Sequence, residues 1–339
     1  MPKSILCFGE LLLRLGAPGR ERLLQTPHLE VHVGGAEANV AVALARLGHA
    51  AAVVSVVSDN PLGAAVVGEL RRHGVDTSRV RTGAGRQGLY FLATGALQRP
   101  SEVLYDRAHS AFALAPAESY DWPSLLTSVD ALHVSGVTPA LGSACADATL
   151  SAARAARKLG LHVSFDGNFR QKLWAERREQ APAVLRAIIA EADIALADHR
   201  DIAIALELTP NGKAATEVFV DAARAAFDAF PHLRRLATTL RTQHSVDHHS
   251  LTALMATRDG ALLTAPAYSL SAIVDRIGAG DAFAAGVLHG LYTDMSDQAA
   301  LHFGLASACL KHSQPGDFSL SDKAEIAAVV AERGFDVRR

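Results

Sequence analysis

Apolar runs of strand length recur along this chain, and each gives way to a stretch with helical periodicity. "AAVVSVVSD" is followed by "PLGAAVVGELRRHG", a helical pattern that Gly74 can close at its C-terminus. The beat returns in "ALHVSG", "LHVSFD", "DIALAD" and "RRLATTL", each short enough for a strand and each leading into a loop that ends in polar residues. A mostly parallel central sheet flanked by helices is the α/β architecture that this alternation predicts. Two segments break the beat: "ELLLRLGAPGRERLLQTPHLEVHV" and "RQGLYFLATGALQRPSEVLYDRA" read as strands and turns without helices. They predict a small β-sheet lid over a site, built from about residues 11–33 and 86–112 of a single domain spanning residues 1–339. There is no internal repeat of 20 to 50 residues, no low-complexity tract and no Pro- or Ser-rich linker.

Composition narrows the partners. With 49% hydrophobic and 20% charged residues the chain can bury a sizeable core, and a formal net charge of -2 leaves no basic footprint for nucleic acid or an anionic membrane. Small molecules are the expected partners. The N-terminal apolar run is broken by Glu10 and Arg14, too early for a signal peptide, and the uncharged stretch from Ala131 to Ala146 carries His133, Ser135, Thr138 and Pro139, which disqualify it as a membrane span. A cytoplasmic location is expected. Cys7, Cys145 and Cys309 are scattered and lack C-x-x-C spacing, so they read as reduced core residues rather than a disulfide framework or a zinc site.

Three motifs bear on chemistry. "GAGRQG", Gly83 to Gly88, has the G-x-G-x-x-G spacing of a dinucleotide loop, but the strand-like "LYFLATGAL" follows where a helix is required, so it reads as no cofactor site. No G-x-x-x-x-G-K-[ST] occurs. In "IGAGDAFAAGVLHGLY", Gly278 and Gly280 can take positive φ and present successive N–H groups at a helix that begins near Asp281, which makes an anion hole suited to phosphoryl transfer. A cap by Asp281 with the glycines merely turning the chain explains those residues equally well. Ala284, Ala285, Gly286 and Gly290 give this helix a back that neighbours can approach closely. The third motif, His244, His248 and His249, offers an i, i+4 pair to a metal but lacks helical periodicity, and a solvated loop is the expectation.

"DRIGAGDAFAAG" resembles the C-terminal signature of the ribokinase-like (PfkB) carbohydrate kinases, and "VGGAEANVAVALARLG" resembles their N-terminal Gly-Gly motif. Within that family "FGELLLRL", "YDRAHSA", "FDGNFRQKLW" and "CLKHSQPGDF" are similar to segments of the 2-keto-3-deoxygluconate kinases, so the likeness covers essentially the whole chain. The resemblance implies a ribokinase-like three-layer fold and an ATP-dependent sugar-acid kinase that phosphorylates 2-keto-3-deoxygluconate at O6. It implies Asp281 as general base, with Gly278, Ala279 and Gly280 forming the anion hole. Gly34, Gly35, Asn39, Tyr90, Tyr105, Arg107 and Arg170 would line the sugar-acid pocket, two arginines gripping the carboxylate. Asp198, Asp201, Thr239, Arg241, Gly278 and Gly280 would face the nucleotide. ATP and Mg2+ are the implied cofactors, a monovalent cation a further possibility, and no metal ligand is assigned. Lids of this kind in the family often pair between subunits, which makes a homodimer or higher homo-oligomer the expectation. Two departures weaken the nucleotide side: "ADHRDI" places Asp198 and Asp201 where many relatives carry Asn-x-x-Glu, and "ATTLRTQHSVDHHS" lacks the wider family's glycine pattern. Lys311 and His312 fall in the C-terminal motif without an assignable role. A kinase for a neutral sugar or nucleoside, and a non-catalytic sugar-acid sensor, remain the alternatives at this stage.

Overall fold

A computed structural model describes residues 2–332. Its main sheet has nine strands: β1 (Ser4–Phe8), β4 (Ala50–Ser58), β5 (Val80–Gly83), β8 (Ala131–Ser135), β9 (His162–Asp166), β10 (Ile194–Leu196), β11 (Arg235–Ser245), β12 (His248–Thr257) and β13 (Leu262–Ser271). The spatial order is β13-β12-β11-β10-β9-β8-β1-β4-β5. From β5 to β11 every pairing is parallel, and β11, β12 and β13 close the sheet as an antiparallel meander. Helices cover both faces, so each central strand divides its side chains between two cores. In β1, Leu6 and Phe8 join one core with the helices Ser143–Lys158, Ala181–Ile189 and Ala215–Ala229. Ile5 and Cys7 join the other core, with the helices Ala36–Arg46, Ala279–Tyr292 and Asp297–Lys311. That two-sided burial is why the strands read as unbroken apolar runs. Cys7, Cys145 and Cys309 are free and buried.

The two segments that broke the alternation form a separate four-stranded sheet: β2 (Leu12–Gly16), β3 (Glu30–Gly34), β6 (Gly88–Ala93) and β7 (Glu102–Asp106), in the order β3-β2-β6-β7. Register sorts its faces. Arg14 stands level with His32 and Tyr90, and Tyr90 level with Tyr105. Leu15 stands level with Val31 and Phe91, and Phe91 with Leu104. The first set shares its face with Leu12, Leu92 and Val103, which pack against Ile277, one residue ahead of Gly278. Gly83 ends β5 and Gly88 opens β6, so the G-x-G-x-x-G spacing leads into a strand.

The histidine-rich segment differs from its expectation. His244 lies near the end of β11 and His248 and His249 open β12, either side of the turn at Val246 and Asp247, so the segment is a hairpin rather than a loop; His244 and His248 are exposed and His249 is fully buried. A half-buried strand alternates its side chains, which puts His248 in water and His249 inside. Among the described residues no three His, Cys, Asp or Glu side chains converge as a ready metal-ligand set, and no helix is long and apolar enough to cross a membrane.

Candidate active site

Parallel strands deliver their C-terminal ends to one edge of the sheet, and polar residues collect there. Glu10 follows β1, Ser135 ends β8, Asp166 ends β9 and Asp198 follows β10. Two helix N-termini face the same edge. The helix Ala279–Tyr292 starts at Gly278, whose φ of 79° is left-handed, and a Cβ there would fall 1.9 Å from the backbone oxygen of Asp317. Only glycine fits that turn. Gly280 was expected to share the positive φ; instead it lies within the helix with open space beside it, because one left-handed residue suffices to turn the chain. The N–H groups of Ala279, Gly280 and Asp281 belong to the first turn, where no helical carbonyl is available to receive them; that of Ala279 makes a 3.3 Å bond to the Arg276 carbonyl ahead of the helix.

Asp281 does not cap this helix. Its carboxylate accepts a hydrogen bond from Asn39 Nδ2 at 2.6 Å and is 8% exposed. Burial pushes its pKa up to about 7, opposed by the Asn39 hydrogen bond and the charge of Arg170 and reinforced by Glu37 and Asp317. Asn39 lies on the helix Ala36–Arg46, whose N-terminus is made by Gly34 and Gly35. A Cβ on Gly34 would meet Asp317 Oδ2 at 2.2 Å, and on Gly35 the backbone oxygen of Glu10 at 2.3 Å. Both glycines therefore let neighbouring chain segments close around this corner.

The remaining expected residues divide by environment. Tyr90 donates its hydroxyl to Asp317 and lies 6.5 Å from Tyr105, ring centre to ring centre, on the small sheet's inner face. Arg107 is buried and donates from Nε to Glu10 at 2.6 Å, so part of the expected carboxylate fork is already engaged by a carboxylate of the chain itself. Ser110 holds the same Glu10. Arg170 is exposed, and its positive charge acts on Asp281, Asp166 and Asp201. Asp198 caps the helix His199–Leu206 and Asp201 returns the bond to the Asp198 N–H at 2.9 Å, so this pair has a structural use as a capping box. Burial raises Asp201 above the ordinary carboxylate range. Thr239 and Arg241 lie on β11, Arg241 at the exposed end.

Five residues without an assigned role belong to the same corner. Glu37 is buried and accepts from Ser135 and Thr138, each at 2.7 Å. Asp166 is raised well above its usual pKa, by burial first and then by the charges of Asp281 and Asp201. Glu10, Asp317 and Arg14 complete the group. Each is a charged residue inside an apolar or Gly-rich run, which is the signal that could have found them: "CFGELLLRLG", "GGAEANV", "SFDGN" and "QPGDF". Lys311 is wholly buried, donates to the Gln314 carbonyl at 2.9 Å, and packs its Cε 3.4 Å from where a Gly278 Cβ would lie. His312 is buried and bonded to the Ala308 carbonyl at 2.7 Å.

Residues 2–324 match the model of the pfkB family carbohydrate kinases. The chain belongs to that family. It is a kinase, a phosphotransferase with an alcohol group as acceptor. A 2-dehydro-3-deoxygalactonokinase of Haloferax volcanii is 33% identical over 337 residues, covering 99% of this chain and 98% of that one. A 2-dehydro-3-deoxygluconokinase of Bacillus subtilis is 28% identical over 326 residues, covering 94% and 92%. The crystal structure of a 2-dehydro-3-deoxygluconokinase from Thermotoga maritima superposes with a TM-score of 0.92 at 36% identity, covering 97% of this chain and 99% of that one. In this chain the small sheet and the Gly278 turn meet at that corner, through Tyr90 on Asp317 and through the packing of Leu12 and Leu92 around Ile277.

Proposed function

We propose that this pfkB kinase transfers the γ-phosphoryl group of ATP to O6 of 2-keto-3-deoxygluconate. The observation that carries the reading is the junction of Asp281 with Gly278, Ala279 and Gly280 at a helix N-terminus: a buried carboxylate poised near neutrality beside first-turn N–H groups, of which Ala279 makes a long 3.3 Å bond to the Arg276 carbonyl. A general base works best with a pKa near the operating pH, and preorganised donors act where charge develops. Asp281 takes the proton of the attacking hydroxyl as the new P–O bond forms and the bond to ADP breaks, while the N–H groups of the turn receive the equatorial oxygens. The small sheet acts as a lid that excludes water, so phosphate reaches the sugar acid rather than solvent. Gly34, Gly35, Asn39, Tyr90 and Tyr105 shape the acceptor pocket, and Arg170, with the Nη atoms of Arg107, supplies positive charge for the substrate carboxylate.

On the nucleotide side, Thr239 and Arg241 of β11 and the Asp198–Asp201 pair line the approach to the turn. The donor set fits Mg2+: Asp166 and Asp201 are hard oxygen donors, and burial first, then neighbouring carboxylates, disfavours their charged form in a way that a bound cation would offset. When bound, Mg2+ supplies neutralisation of the phosphate charge. A homodimer follows from the lid's outer face, where Val31, Leu15, Phe91 and Leu104 form one apolar row and the two end residues are 59% and 57% exposed. A sedimentation mass of one chain would count against it.

The deciding experiment is an ADP-release assay with Mg-ATP and five acceptors: 2-keto-3-deoxygluconate, its galactonate epimer, fructose, ribose and adenosine. Turnover confined to the keto-deoxy acids is the expected result. Preferential use of a neutral sugar or of adenosine would overturn the substrate assignment, and silence across the panel would favour a binding function.

A further inference from the structure

Arg14 projects from β2 of the small sheet into the main domain and is 3% exposed. Its Nη2 donates to Asp275 Oδ2 at 2.7 Å, and its Nη1 lies 3.1 Å from Asp317 Oδ1. These two carboxylates belong to the chain segments that build the Gly278 turn. Asp275 Oδ1 accepts from the Ile277 N–H at 2.9 Å, and Oδ2 also accepts from the Gly316 N–H at 3.1 Å. Asp317 puts its backbone oxygen against Gly278 and receives the Tyr90 hydroxyl, which also comes from the small sheet. One guanidinium thus spans both walls of the turn from which Asp281 departs.

We propose that Arg14 is a positioning residue, through which the seating of the small sheet fixes the geometry of the anion-binding turn at Gly278. Arginine suits the task because its planar fork donates to Asp275 in a fixed direction while its other Nη lies beside Asp317, whereas a lysine ammonium acts as a point charge. The bond from Asp275 to the Ile277 N–H places the turn, and the apolar contact of Leu12, Leu92 and Val103 with Ile277 seats the same residue from the same sheet. When the sheet lifts, the Arg14 hold on Asp275 and the apolar contact with Ile277 leave together. The kinase then assembles its phosphoryl-receiving donors only beneath a seated lid, which couples acceptor enclosure to chemistry.

This inference rests on the kinase reading, and two measurements keep the two apart. The first is steady-state kinetics of Arg14→Lys, Arg14→Met and the charge-balanced double variant Arg14→Met with Asp275→Asn, each against wild type with the acceptor that wild type uses best. A displaced turn is expected to lower kcat about tenfold or more in all three, with KM for acceptor and for ATP changing far less. Recovery of kcat in the double variant would show that Arg14 merely neutralises charge, and a rise in KM at constant kcat would make it a substrate ligand; either result overturns the proposal. The second measurement needs no substrate. Amide hydrogen exchange in Arg14→Met should quicken across residues 275–282 and at 314–317 while β8 and β9 keep their protection. Unchanged exchange in those two segments would overturn the proposal even if no acceptor were found.

Discussion

Replacing Asn39 with alanine tests how the environment of Asp281 is tuned. Asn39 Nδ2 donates to the carboxylate at 2.6 Å, in a corner where burial raises the pKa to about 7 and the Asn39 bond works against that rise. A hydrogen bond to a charged group is worth about 1.5–3 kcal/mol, and about 1.4 kcal/mol corresponds to one pKa unit. Loss of the bond should therefore lift Asp281 by about one to two units, with the smaller value expected if water enters the vacated space. For a base that must be ionised, kcat/KM falls with protonation below its pKa, so the acidic limb of the pH profile should move from about 7 to between about 8 and 9. At about pH 7 the variant should be about five- to fiftyfold slower, and in alkaline buffer it should regain most of the deficit. The assay is kcat/KM for the best acceptor across that range at constant ionic strength, with thermal unfolding as a check on the fold. A limb that stays near its wild-type position, or a uniform loss at every pH, would refute the reasoning.

Other perturbations have equally direct readouts. Gly278→Ala forces an L residue to a φ of 79° and drives its Cβ against the Asp317 carbonyl. Strain from φ alone is about 1–3 kcal/mol, so turnover should be lost with a lowered Tm; an active variant of wild-type stability would contradict the tight turn. His133 is buried against Ser164 and burial pushes its pKa down from 6.5 to about 4. The unfolded chain takes up that proton first, so the stability tied to neutral His133 is present above pH 6.5 and is lost as pH falls toward 4. Relative to His133→Leu, wild type should lose up to about 3 kcal/mol of unfolding free energy over that interval, and parallel pH curves for the two proteins would contradict the burial argument.

The parallel sheet was legible because both faces of its central strands are covered, which leaves uninterrupted apolar runs such as β4 and β8. The small sheet was legible for the opposite reason: one face of β6 and β7 is half-exposed, so their sequences alternate where the rest do not. Gly278 and Asp281 stood out in sequence because a turn of that kind requires particular residues. Glu10, Glu37 and Arg14 did not, because single charges acquire meaning only from partners far along the chain, such as Arg107 for Glu10 and Asp275 for Arg14. The same distance effect changes the reading of Arg107, which in sequence offers a free fork and in the fold is already half engaged. In Asp198 and Asp201 the helix-capping geometry is short-range, and spacing alone cannot distinguish it from a phosphate-side carboxylate pair.

The central claim is that Asp281 is the proton acceptor at the GAGD turn, and the most direct test is the single-turnover rate of Asp281→Asn with 2-keto-3-deoxygluconate and Mg-ATP. The asparagine keeps the shape and removes the base. A phosphoryl-transfer rate at least about 10²-fold below wild type, with acceptor binding retained, is the result expected of a missing general base. A rate close to wild type in a folded variant that binds acceptor would contradict the claim.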